Sequence, residues 1–288
     1  MIARHSIEHT LDFRYSAPVH ASVMTLYLSP LQDRRQVQLE FSIESDPGGP
    51  VFAFRCPFGN DGHFLDRPGP HERLVVRARC TVEVAPNRSP PDRLGSSGWA
   101  DLGGSMRDPE LRIMLQASRF ARPSPALERF MQAHGLKAGN DPLATALELR
   151  DTLYRTFEYA PGSTAADSPI ERILESGRGV CQDYAHVMAS ILRIWGIPCR
   201  YVSGYLGPDA PGSASGESHA WVECWFPGLG WVGLDPTNNS GGDERHVRVA
   251  VGRDYADVPP TRGVYRGGAQ SALTPAVTIT REDLSTKP

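Results

Sequence analysis

Ser176-Gly-Arg-Gly-Val-Cys181-Gln-Asp-Tyr-Ala-His-Val-Met-Ala-Ser-Ile-Leu-Arg-Ile-Trp-Gly-Ile-Pro198 is the stretch from which the rest of the chain can be read. Two glycines break the backbone before Cys181, and no helix breaker follows until Gly196. Tyr184, Val187, Met188, Ile191, Leu192 and Trp195 recur at helical spacing and give a wide apolar face. Gly196 and Pro198 stop the helix. Cys181 therefore falls where a loop becomes a buried helix. Backbone N–H groups at a helix start are unpaired and partly positive. A thiolate placed there is stabilised and becomes a usable nucleophile.

Downstream lie Ser218-His219-Ala-Trp-Val-Glu223 and Trp231-Val-Gly-Leu-Asp235-Pro-Thr237. Cys181, His219 and Asp235 supply a nucleophile, an acid/base and an orienting carboxylate. Three strands are expected here, at 200–206, 219–225 and 231–235. Strand side chains alternate, so His219, Trp221, Glu223 and Trp225 share one face. Phe226-Pro-Gly-Leu-Gly230 reads as a hairpin loop. If Trp225 pairs with Trp231, Asp235 falls opposite Trp221 and diagonal to His219, within reach of a hydrogen bond. A loop one residue shorter would put the two on opposite faces.

In such a site the thiolate attacks a carbonyl and forms a thioester, while His219 first protonates the leaving amine and then activates water or an amine. The oxyanion needs two donors. The Cys181 N–H is one; Gln182 and Tyr159 are the candidates for the other. Asp183 is expected to cap the helix start, with substrate contact as the alternative. His186 lies five residues from Cys181, off its helix face, and is expected to pack rather than react. Glu223 reads as an electrostatic partner. Trp221 is a candidate wall of an acyl-donor groove, although aromatic strand pairs usually stabilise sheets. Zinc is not expected, because no C-x-x-C occurs and Cys181 and His186 do not share a face. Gly212-Ser-Ala-Ser-Gly216 lacks the spacing of a serine nucleophile turn.

The 288 residues are 40% hydrophobic and 22% charged with net charge −3, an ordinary globular composition. Dispersed Lys and Arg give no sign of nucleic-acid binding. The five cysteines are an odd number without a disulfide-like spacing. The N-terminus lacks the apolar stretch of a signal peptide, and no apolar run approaches the ~18 residues of a membrane span. A soluble, reduced, cytoplasmic protein is expected, with no cofactor.

Residues 1–85 alternate in short runs (7–15, 37–43, 74–84) split by turn signals at 46–50, 58–62 and 67–70, which predicts an antiparallel β-sandwich. Residues 86–107, rich in Pro, Gly and Ser, read as a linker or loop. Residues 108–280 hold the helices and the three site strands. Ser124-Pro, Asp141-Pro and Ser168-Pro each look like helix caps. Residues 207–217 read as an exposed, mobile loop beside the site. Further strands are expected at 246–251 and 277–280, and 281–288 as a frayed tail. The fold class is thus α+β.

Four segments carry a resemblance: Gly177-Arg-Gly-Val-Cys181-Gln-Asp-Tyr-Ala-His, Gly196-Ile-Pro-Cys-Arg200-Tyr-Val-Ser-Gly204-Tyr, His219-Ala-Trp-Val-Glu223 and Trp231-Val-Gly-Leu-Asp235-Pro-Thr. In this order they resemble the transglutaminase-like superfamily, a branch of the papain-like thiol enzymes. His9-Thr-Leu-Asp-Phe-Arg-Tyr15, Phe58-Gly-Asn60, Pro70-His71 and Gly252-Arg-Asp-Tyr-Ala-Asp-Val-Pro-Pro260 resemble its bacterial subgroup. The resemblance implies a Cys181–His219–Asp235 triad and acyl transfer at an amide, with a protein or peptide substrate and water or an amine as acceptor. Animal transglutaminases need calcium, but the chain has no EF-hand-like acidic loop, so calcium-regulated crosslinking is not expected.

Overall fold

A computed structural model describes residues 2–87 and 89–284. The chain opens with four antiparallel strands: β1 (Ile2–Leu26), β2 (Gln36–Asp46), β3 (Val51–Arg55) and β4 (Asp61–Val84). The middle is mostly helical, with α1 (Gly98–Ser105), α2 (Pro109–Ile113), α3 (Pro125–Ala133), α4 (Pro142–Thr156), β5 (Glu158–Tyr159), α5 (Glu171–Ser176), β6 (Arg178–Gly179) and α6 (Cys181–Ile194). Strands then return as β7 (Cys199–Leu206), β8 (Ala214–Ser215), β9 (Ser218–Phe226), β10 (Gly230–Asp235), β11 (Ser240–Gly241), β12 (His246–Gly252), β13 (Thr261–Arg266) and β14 (Ser271–Leu284). Among the described residues, no helix is long and apolar enough to cross a membrane.

The N-terminal layer is one sheet of order β2-β4-β1-β14-β8, with β3 on β4 and β13 on β1. Its long strands run through Arg67-Pro-Gly-Pro70, the expected turn. The turn is replaced by a register break opposite Val19 and Ala21, which lets two prolines sit in a strand. Leu11 and Leu74 from one side of that break share a core with Leu26 and Leu65 from the other, so the sheet folds over its own apolar face. Residues 261–284 also differ from expectation. β14 pairs with β1 over Ile2–Tyr15 and β13 pairs with it over Ala21–Leu26, so they complete the N-terminal sheet rather than the helical half. Of the expected frayed tail, 281–284 belong to β14 and 285–288 lie outside the described residues.

Within 86–107 the chain forms α1, which buries Leu102. Ser124 and Asp141 cap α3 and α4 through Leu127 N–H and Ala144 N–H. Ser168 does not cap α5: its hydroxyl accepts from Ala165 N–H, and the helix begins at Glu171. Gly177, at φ 69°, stops α5 in the left-handed conformation that favours glycine.

The second sheet has order β11-β10-β9-β7-β12 and is antiparallel. Its Ala220, Val222, Cys224 and Phe226 share a core with Tyr184, Val187, Met188, Ile191 and Leu192 of α6. Five fully buried α6 side chains fix the helix, and with it the position of its first residue. Trp225 pairs with Trp231 and Val222 with Leu234, the register expected from the hairpin loop.

Candidate active site

Cys181 is the first residue of α6 and is half-buried. The β6 turn in front of it is held by β5, through hydrogen bonds from Glu158 N–H to Gly177 and from Ala160 N–H to Gly179. A Cβ on Gly179 would lie 2.5 Å from Ile173 Cδ1 and 3.1 Å from Asp183 Cβ, so any larger residue would displace Ile173 of α5. Asp183 is buried and accepts the Val180 N–H at 2.9 Å, tying the helix start to the preceding loop. Burial raises its pKa, against hydrogen bonds from Thr164 and Val180.

His219 lies one residue into β9, and the Cys181 side chain is close enough to help raise its pKa. Nε2 of the ring is 2.7 Å from Asp235 Oδ2, which leaves Nδ1 as the nitrogen for sulfur. Asp235 ends β10 and has no exposed surface. The next residues wrap around it. Thr237 N–H and Asn238 N–H donate to Oδ1 at 2.9 and 3.2 Å, and the Asn238 amide donates to Oδ2 at 2.8 Å. Burial would raise the Asp235 pKa; His219 and the hydrogen bonds overcome it, and the carboxyl stays far below its ordinary value. Burial would lower that of His219, but the adjacent carboxylate and the Cys181 side chain raise it to about 10.

A second imidazole reaches the same oxygen. His246, at the start of β12, puts Nε2 3.2 Å from Asp235 Oδ2 and Nδ1 2.7 Å from Asp243 Oδ1. It is buried, and its ring meets Trp221 edge-on at 5.0 Å. His219, Asp235 and His246 therefore offer three potential metal-ligand atoms within 4.8 Å. Here both ring nitrogens point at one carboxylate oxygen with a hydrogen bond between.

The remaining expected residues divide. Trp221 is completely buried and stacks beside His219 at 5.9 Å, so it braces the imidazole and is no groove wall. Fully apolar packing with Val202 and Val251 holds it there. Glu223 binds Arg200 at 2.6 Å; burial opposes its ionisation, but Arg200 and Arg248 keep it ionised below the ordinary range. His186 is buried between Phe120 and Tyr201 and accepts Tyr255 N–H, and burial lowers it to about 4. Gln182 gives its amide to Ala165 O at 2.8 Å. Partial burial, with Cys181 and Glu217 nearby, pushes Tyr159 up to about 12. The 207–217 loop is tied down where β8 pairs with Ile279 and Thr280 of β14.

Residues 131–236 match the transglutaminase-like superfamily, and residues 5–83 match the bacterial transglutaminase-like N-terminal region. An uncharacterized protein of Mycobacterium leprae is 30% identical over 286 residues, covering 96% of this chain and 99% of that one. The chain belongs to the transglutaminase-like superfamily. Another such relative, an uncharacterized protein of Mycobacterium tuberculosis strain H37Rv, is 31% identical over 306 residues, covering 96% and 92%. A protein-glutamine gamma-glutamyltransferase of Pseudomonas aeruginosa is 32% identical over 220 residues, covering 72% of this chain but 30% of that protein. The same fold is seen in the crystal structure of a proposed cysteine protease from Cytophaga hutchinsonii, with TM-score 0.77, 21% identity, and 100% and 93% of the two chains covered. In the transglutaminase-like fold of this chain, Asn238, His246 and Asp243 are the site residues that sequence patterning misses. Only Asn238 left a local signal, as the last residue of an Asp235-Pro-Thr-Asn turn.

Proposed function

We propose that this protein is a cysteine acyltransferase or hydrolase acting on a carboxamide or peptide bond through Cys181, His219 and Asp235. One observation carries the reading. The half-buried Cys181 at the tip of α6 lies beside an imidazole whose pKa it helps to raise, and Nε2 of that ring is 2.7 Å from a fully buried carboxylate. That arrangement favours a thiolate–imidazolium pair. The thiolate adds to the substrate carbonyl, and the Cys181 N–H donates to the oxyanion. His219 gives its proton to the leaving amine as the C–N bond breaks, leaving a thioester. It then takes a proton from water or from a primary amine, which attacks the thioester and releases Cys181. Asp235 keeps Nδ1 facing sulfur throughout. The Pseudomonas relative, named for transfer from protein glutamine, supports an amide substrate and an amine acceptor.

The test is the pH dependence of Cys181 alkylation by iodoacetamide. The wild type is expected to react well below the ~8.5 of an ordinary thiol, and His219→Ala to lose that reactivity. Ordinary-thiol behaviour in the wild type would mean a silent binding module on the same fold. Incubating the protein with glutamine-containing casein and a fluorescent primary amine separates the two acceptors: dye incorporation marks transfer, and ammonia or peptide release without it marks hydrolysis.

A further inference from the structure

The mechanism above uses one histidine, yet two histidines share the Asp235 carboxylate. We propose that His246 is a positioning residue: a buried imidazolium held between Asp235 and Asp243 that shares the carboxylate with His219 and so sets how tightly His219 holds its proton. The inference rests on the functional reading just given and extends it by one residue.

The protonation state follows from the contacts. An ionised carboxylate only accepts hydrogen bonds. Nε2 of His246 faces Asp235 Oδ2 at 3.2 Å and Nδ1 faces Asp243 Oδ1 at 2.7 Å. Nδ1 also lies 3.3 Å from the Asp243 N–H, a longer contact in which it would accept; the two carboxylates, the nearer at 2.7 Å, outweigh it and favour a proton on each nitrogen and a cationic ring. Both carboxyls are held below their ordinary values, which agrees with that state. The charged and titratable groups around the ring are Asp235 and His219 on β10 and β9, and Asp243 and Arg245 on the loop before β12. Beyond these stand Glu244, which binds Arg281 of β14 at 3.2 Å, and His5 of β1, which reaches the Glu244 carbonyl at 2.9 Å. The N-terminal sheet thus grips the loop that presents Asp243 to His246.

The consequence is electrostatic. A lone buried Asp235 would hold the His219 proton so strongly that His219 would be a poor general acid, since acid/base groups work best near ambient pH. A second cation on the same oxygen, its ring centroid 6.1 Å from that of His219, weakens this grip. Trp221, packed against both rings, keeps water from screening the effect.

The test is an NMR titration of histidine-labelled protein carrying Cys181→Ser, so that no thiolate retains the His219 proton. His246 is expected to be doubly protonated at neutral pH. Adding His246→Gln, which retains a donor to Asp235 but no charge, is expected to raise the His219 pKa by roughly one to two pH units. A neutral His246 ring at pH 7, or a His219 titration that is unmoved or lowered by His246→Gln, overturns the proposal. Should His246→Gln fail to fold, the protonation state of the His246 ring still decides. Iodoacetamide reactivity independent of His219 would overturn the functional reading instead, a result separate from either ring titration.

Discussion

Replacing Asp235 by Asn tests the centre of the site most sharply. Thr237 N–H and Asn238 N–H both donate to Oδ1, so the Asn oxygen must take that place. Its NH2 group then points where Oδ2 was, at His219 Nε2, now 2.7 Å away. A donor there forces Nε2 to accept, and the ring proton moves to Nδ1, which faces sulfur. The nitrogen that should take the thiol proton is already occupied. The size of the effect follows from the His219 pKa, raised from an ordinary 6.5 to about 10. At about 1.4 kcal/mol per tenfold, that favours the charged ring by roughly 5 kcal/mol. The charge of Asp235 supplies most of it: at 2.7 Å and an effective dielectric of ~20, the direct attraction is about 6 kcal/mol before burial is subtracted. Without it, burial lowers the His219 pKa against Cys181 alone, and the value is expected to fall back towards 6.5. The thiol then behaves as an ordinary one, so iodoacetamide labelling at pH 7 falls roughly 30-fold. Amide turnover, which also needs the acid, falls by about 10³ or more. Labelling within threefold of wild type at pH 7 would refute the reasoning, because among the described residues no other carboxylate hydrogen-bonds His219.

Three further outcomes are expected. Gly204→Ala would place a Cβ 2.1 Å from the Val247 carbonyl oxygen and 2.8 Å from the Trp221 ring; urea unfolding should show a loss of about 2–3 kcal/mol, and an unchanged midpoint would contradict this packing. Arg200→Met leaves Glu223 buried with Arg248 as its nearest cation at 4.0 Å, and should cost about 3 kcal/mol, most of it recovered in Arg200→Met/Glu223→Leu; a Cys181 alkylation profile altered in the double variant would show that Glu223 takes part in the chemistry. The His219 pKa is higher folded than unfolded, so its contribution is complete below 6.5 and disappears as pH rises through about 10; thermal melts across that window should decline in the wild type and decline less in His219→Gln.

Sequence patterning reached what lies close along the chain. The α6 start, its buried stripe and the Trp225–Trp231 register were legible because each depends on local periodicity or on a loop of a few residues. Parity alone placed Asp235 on the His219 face. Long-range pairing was not legible. Nothing local in Ser271–Leu284 says that it returns some 250 residues to lie along β1, or that Pro68 and Pro70 sit inside a strand. The same limit hid Trp221: alternation gives its face, but not that Val202 and Val251 close over that face. It hid His246 as well, because β12 reaches the site through β7, a neighbour some 40 residues earlier in the chain.

The demands of a buried charge join these two classes of residue. Asp235 is fully buried yet ionised, a state that costs several kcal/mol unless its lone pairs are filled. Local structure fills only part of them. Thr237 and Asn238 satisfy Oδ1, and the Asn238 amide reaches Oδ2. A carboxylate held by that turn alone would lean on His219 for the rest of its stabilisation and hold the proton too tightly to release it. The partner that relieves this must come from elsewhere in the chain, and it must itself be fixed. His246 meets both conditions, because Asp243 holds its far nitrogen and Arg281 and His5 anchor the intervening Glu244 to the N-terminal sheet. On this reasoning the N-terminal sheet is part of the site's electrostatics. Arg281, 8% exposed on β14 of the N-terminal sheet, is therefore expected, when replaced by Ala, to move the His219 titration in the same direction as His246→Gln and by a smaller amount. If the two titrations prove independent, the sheet only supports the fold.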